Sequence, residues 1–178
     1  MGAMELEKLF GLPAHPLLVH LPVVLIPLSG IIAIVFAFKS AWLDRYGWHL
    51  VVLSFVGAIG GVFAAGSGEG LEAIQRRAGE TASAAAEDHF ELGETARNMG
   101  LLFFLIVFAV VAVRWYARKQ AAKDGGAESV WSKVNTKGAA IAMAALLVLS
   151  AGAATYSISK AGHQGAKLVW EEEGGDEG

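Results

Sequence analysis

Five histidines carry the coordination chemistry open to this chain: His15, His20, His49, His89 and His163. The chain has no cysteine, which removes disulfides, thiolate-bound zinc, iron–sulfur clusters and c-type haem attachment. Imidazole remains, and it ligates zinc, copper, iron and haem iron. Glu69 and Glu72 are the carboxylates that could join a histidine site. His15 and His20 are five residues apart, which sets them about 140° apart on an ideal helix. They share one ion only if the helix bends, and Pro16, Pro22 and Pro27 could bend it. Pro22 deletes the hydrogen bond to the Leu18 carbonyl, and Pro27 that to Val23. No nucleophile elbow or phosphate loop is present, and Gly66-Ser67-Gly68 reads as a turn because no strand precedes it. No residue is given a catalytic role. Whether the protein is an enzyme stays open, with a non-catalytic role preferred.

The elements that must position these side chains follow from composition. Of 178 residues, 54% are hydrophobic and 17% charged, with a mean hydropathy of +0.49. Soluble domains hold about 45–50% apolar and about 25% charged residues, so the chain reads as lipid-embedded. Residues 16–38, 49–65, 98–113 and 138–159 carry no Lys, Arg, Asp or Glu. About 20 apolar residues cross a hydrocarbon layer of roughly 30 Å, and a backbone in lipid must satisfy its own hydrogen bonds, so each span is a helix. The expected fold class is all-α: an integral membrane antiparallel four-helix bundle, N-out/C-out. The spans are placed at about 16–38, 48–66, 97–115 and 138–160, within a transmembrane domain over 15–170. An outer N-terminal segment covers 1–14, an outer loop 67–96, a cytoplasmic loop 116–137 and a disordered acidic tail 171–178. Residues 66–70 are expected to end the second helix, 71–77 to form a short surface helix, 84–97 to extend the third helix outward, and 121–128 to form a polar hinge.

Orientation rests on the basic residues. Residues 39–48 hold Lys39 and Arg45. Residues 114–137 hold Arg114, Arg118, Lys119, Lys123, Lys133 and Lys137, which makes eight of the fourteen Lys and Arg in two short stretches. Positive-inside bias puts both in the cytoplasm. Trp42, Tyr46, Trp48, Trp115, Tyr116 and Trp131 cluster at the same boundary, as interfacial aromatics do. The expected location is the bacterial inner (cytoplasmic) membrane, multi-pass, with the lipid bilayer as partner. The net charge of −3 gives no reason to expect nucleic acid.

On this topology His49 is cytoplasmic and the other four histidines lie toward the outer face. At about 1.5 Å per helical residue, His15, Glu72, His89 and His163 rise roughly 36–39 Å from the inner boundary, and His20 about 28 Å, with Glu69 between. Three helices therefore bring a histidine to one level. An ionisable group such as His20 at the membrane edge points to function; the plainer alternative is that interfacial histidines cap helices or bond loop carbonyls.

The segment Pro13-Ala14-His15-Pro16-Leu17-Leu18-Val19-His20-Leu21-Pro22 resembles the opening signature of a bacterial family of four-helix membrane proteins catalogued as domain of unknown function 2231. Its pattern is HP, three apolar residues, H, an apolar residue and P. The small-residue turn at Gly66, His89 before the third helix, and Gly162-His163-Gln164-Gly165-Ala166-Lys167-Leu168-Val169 after the fourth complete the likeness, over roughly residues 12–170. The family often carries acids near the end of the first helix and after the second; the nearest here are Asp44 and Glu69. Related domains occur joined to c-type cytochrome or Rieske modules. The resemblance thus implies redox chemistry in the membrane, with a membrane redox partner or c-type cytochrome.

Two ligand expectations follow. The first is a b-type haem near the outer face, serving electron transfer, with His20 and His89 as the expected axial pair and His15 and His163 nearby. Gly57, Gly60, Gly61, Ala64, Ala65 and Gly66, or Ala139, Ala140, Ala142, Ala144 and Ala145, could line its slot, although small residues also simply let membrane helices pack closely. The second is a divalent metal such as zinc, or copper, on His15, His89 and His163 with Glu72 or Glu69. The histidine levels fit the metal better; the family context fits haem better. A structural or assembly subunit without cofactor is a third reading, and a homo-oligomer is compatible with all three.

Overall fold

A computed structural model describes residues 8–9, 12–77, 79, 83–123, 133–134 and 136–175. A two-residue antiparallel pair, β1 (Lys8–Leu9) with β2 (Leu12–Pro13), precedes five helices: α1 (Ala14–Leu18), α2 (His20–Phe38), α3 (Ser40–Arg77), α4 (Ala84–Lys123) and α5 (Lys137–Gly175). Four segments are long and apolar enough to cross a membrane: His15–Phe38, Ser40–Gly70, Ala85–Lys123 and Lys137–Leu168.

The helices form a square, antiparallel ring in which α2 packs on α3, α3 on α4, α4 on α5, and α5 returns to α2. Phe103, Val107, Leu147, Leu50, Ala33 and Ala151 fill its axis and are almost wholly buried. Ile26 of α2 reaches across the diagonal to Gly100 of α4. The outside of the ring is equally apolar: Ile31, Val24, Val52, Leu105, Ile141 and Leu149 are all exposed. A monomeric protein in water does not leave an apolar surface of this extent bare, so hydrocarbon must cover it.

Small residues set how closely the helices approach. A Cβ on Gly60 would lie 2.7 Å from the Leu21 Cβ, and one on Gly57 3.0 Å from the Ile26 Cδ1. These two glycines thus close the α2–α3 seam. Across the ring, a Cβ on Gly30 would meet Thr155 of α5 at 2.9 Å.

The proline-rich start behaves as its chemistry requires. Val19 interrupts the helix between α1 and α2, one residue after the carbonyl that Pro22 cannot bond. The Val19 N–H still donates to the His15 carbonyl (3.1 Å), and the Val23 N–H to the Val19 carbonyl (3.2 Å). Pro27 sits inside α2 without breaking it.

Three expectations about the segments outside the lipid need correction. Residues 66–70 do not end the second helix, and 71–77 are not a separate helix: α3 runs through both to Arg77. A glycine costs about 1 kcal/mol in a helix interior, too little to stop a helix held by packing on two sides; Gly79, with φ +83°, follows its end instead. The stretch 67–96 is accordingly mostly helix, with α4 beginning at Ala84 as the 84–97 expectation required. Residues 171–175 continue α5 rather than fraying, since a formed helix propagates cheaply and glutamate favours it. Residues 124–128 of the expected hinge, residues 176–178 and Trp131 lie outside the described residues. Ser83 caps α4, its Oγ accepting from the Ala86 N–H at 3.2 Å, and Thr136 caps α5 through the Ala139 N–H at 3.3 Å.

Candidate metal centre

At the end of the ring where α2 begins and α5 ends, two of the histidines meet. The rings of His15 (α1) and His89 (α4) lie 6.4 Å apart, centroid to centroid, at 90°. The break at Val19 lets α1 lean on α3, where the His15 Nδ1 sits 3.0 Å from the Ala64 carbonyl oxygen and 3.1 Å from the Ser67 Oγ. The Ser67 hydroxyl itself donates to that same carbonyl (2.8 Å). A carbonyl can only accept, so His15 Nδ1 carries a proton and donates it, which leaves Nε2 as the ring nitrogen able to offer a lone pair. A backbone carbonyl that fixes the tautomer of a metal-binding imidazole is the usual outer-shell arrangement.

His89 is seated by absence of bulk. A Cβ on Gly165 of α5 would lie 2.7 Å from its Cε1, and a Cβ on Gly68 of α3 would lie 3.3 Å from the His15 Cε1. Both rings therefore lie almost on the backbone of a neighbouring helix. The His89 Nδ1 is buried without a hydrogen-bond partner. Such a group is costly unless something else pairs it. Phe90 lies beside the pair, its ring centroid 6.2 Å from that of His89.

The other expected ligands are placed differently. His20 is exposed, with its Nδ1 2.6 Å from the Pro16 carbonyl oxygen, so that proton too is held and Nε2 is bare. Among the described residues, no ring contact or hydrogen bond joins His20 to His15. His163 is exposed on α5 and, among the described residues, has no hydrogen bond, ion pair or ring contact. Glu69 accepts from the Arg97 guanidinium at 3.1 Å, and Arg97 also lies 4.0 Å from Glu94. Glu72 is half-buried on α3. Among the described residues, no three of His, Asp or Glu converge as a metal-binding group. His49 stands at the opposite end, edge-on to Tyr46.

Of the two small-residue stretches, Gly57, Gly60 and Gly61 face Ile26, Leu21 and Pro22, closing a helix seam. Ala139 to Ala145 lie at the start of α5, far along the helix from Gly165. What the histidine count alone misses is the seat: the Ala64 carbonyl, Ser67, Gly68 and Gly165. Their only sequence trace is a serine and glycines at helical spacing, which read equally well as a turn.

A family model described as "Predicted membrane protein (DUF2231)" matches residues 11–178. The chain belongs to this family. No curated protein and no solved structure matches it. Within DUF2231, this chain is a membrane protein with four candidate spans.

Proposed function

We propose that this DUF2231 protein is a membrane redox protein that holds a transition-metal centre between His15 and His89. The observation that carries the reading is the pair itself, with one imidazole fixed as a ligand tautomer and the other half-buried, its Nδ1 shut off from solvent without a hydrogen-bond partner. A metal–nitrogen bond of about 2 Å plus about 1.1 Å from nitrogen to ring centre separates two imidazoles on opposite sides of one ion by roughly 6.2 Å. The ring spacing of 6.4 Å leaves room for one ion between them. Imidazoles suit zinc, nickel, copper and iron; copper and iron, which cycle between oxidation states by one electron, are the two that a redox role requires. Because no third His, Asp or Glu converges on the pair among the described residues, water would complete the coordination.

Haem iron is the second reading. The ring spacing and the 90° angle suit two axial imidazoles, here His15 and His89 rather than His20 and His89. A porphyrin would have to be accommodated beside Phe90, which favours the bare ion. Distribution of Lys and Arg supports a bacterial inner-membrane location with both termini outside, which puts the pair at the outer rim. There it could exchange electrons with a c-type cytochrome or another membrane redox partner.

The test is an absorption spectrum of detergent-purified protein with and without dithionite, alongside elemental analysis. A bare ion predicts about one copper or iron per chain without a Soret band, lost in His15→Ala and His89→Ala and kept in His49→Ala. A Soret band with a sharpened α-band, lost in the same two variants, selects haem. Neither signal after growth with both metals and a haem precursor would overturn the proposal.

A further inference from the structure

At the other end of the ring, α3 and α4 leave an apolar groove of about 480 Å³ lined by Trp48, Phe108, Ala112, Val113, Trp115 and Tyr116. Trp48 is edge-on to both Phe108 (6.1 Å) and Trp115 (6.5 Å), and none of the six residues carries a charge. The groove faces outward, and Trp48, Phe108 and Trp115 are all more than 40% exposed.

Its rim is basic. Lys119 sits one turn beyond Trp115, with Nζ 4.9 Å from the indole centroid; among the described residues no carboxylate pairs with it. Arg118 donates to the Asp44 carbonyl at 2.9 Å, and its Nη1 lies 3.6 Å from the Asp44 Oδ1. Asp44 is already occupied, because Arg114 holds both of its carboxylate oxygens. One carboxylate thus faces two guanidiniums, with an uncompensated ammonium alongside. Positive charge above and a hydrocarbon-lined trough below match a molecule with an anionic head and an apolar chain.

We propose that the α3–α4 groove is a binding site for an anionic phospholipid. An acyl chain lies along Trp48, Phe108 and Trp115, and the phosphate group is held by Lys119 and Arg118. The geometry gives the apolar and charged halves different duties. The trough takes a chain from any phospholipid, so selectivity for anionic over zwitterionic lipid resides in the two cations.

The test uses the full chain in phosphatidylcholine vesicles doped with an equal small fraction of either brominated-chain phosphatidylglycerol or brominated-chain phosphatidylcholine. Bromine quenches tryptophan emission on contact, and Trp48 and Trp115 flank the groove. The expected result is at least twofold stronger quenching by the anionic lipid. That excess should fall to the zwitterionic level in Lys119→Ala and in Arg118→Ala/Lys119→Ala, and at high salt. Both cations are exposed, and Lys119→Ala leaves the Asp44 contacts intact, so folding is not at stake in that variant. Replacing Trp48 or Trp115 by Phe should remove much of the anionic excess. Equal quenching by the two lipids, an excess that survives the double substitution, or an excess undiminished in both Trp variants would overturn the assignment.

Discussion

Arg114 on α4 grips both carboxylate oxygens of Asp44 on α3, at 2.7 and 2.9 Å. The arginine side chain is only 13% exposed and the aspartate 25%. This bidentate clamp ties the two helices at the end of the ring opposite the histidine pair, next to the aromatic groove.

Removing one partner of a half-buried pair strands the other. Asp44→Ala should therefore destabilise the bundle by about 2 kcal/mol, read as a lower melting temperature of the detergent-purified protein. Asp44→Ala/Arg114→Ala should recover part of that loss, because the most buried guanidinium is no longer stranded and exposed Arg118 keeps the backbone carbonyl of residue 44. A double variant worse than the sum of the singles would contradict the clamp.

The glycines of α3 should separate by position. Gly60→Ala puts a methyl group 2.7 Å from the Leu21 Cβ and should cost about 1–3 kcal/mol through forced separation of α2 and α3. Gly66 is exposed with nothing within 4 Å of its Cβ position. Gly66→Ala should be neutral or stabilise by up to about 1 kcal/mol, because it is mid-helix. Unfolding curves in mixed detergent would rank the two.

At the histidine pair, Gly165→Ala drives a methyl group to 2.7 Å from the His89 ring. Metal retention should fall sharply while the melting temperature of the metal-free protein changes little. Gly162→Ala, whose Cβ would meet Val23 at an ordinary 3.8 Å, should retain metal as the parent does. Elemental analysis after dialysis against a weak chelator measures both.

Ser67→Ala removes one of the two groups that hold the His15 Nδ1 proton and should weaken metal affinity by about tenfold or more. His20→Ala should leave metal content unchanged, since that ring is exposed and, among the described residues, bonded only to its own turn. Loss of the metal in His20→Ala with retention in His15→Ala would exchange the roles assigned to the two residues.

The spans were legible because lipid imposes a simple rule: charge-free stretches long enough to cross it become helices. The proline effect was legible too, since the missing Pro22 N–H has a calculable partner and the chain breaks one residue after it. The helix extents were harder, because 66–77 carries glycines and charges that signal a turn in isolation, while packing against α1 and α4 overrides them. The histidine site was half visible. Rise per residue brought His15 and His89 to one level, but height says nothing of azimuth. His163 shares that level but is exposed, His20 lies lower and is exposed as well, and Glu69 is paired with Arg97.

The pair at the bundle mouth draws one ring from the first membrane segment, the other from the third, and its glycine seats from the second and fourth. A chain inserted segment by segment during synthesis has no such pocket after one, two or even three crossings. Only the complete molecule can present it, so a ligand lodged there would report that biogenesis had finished.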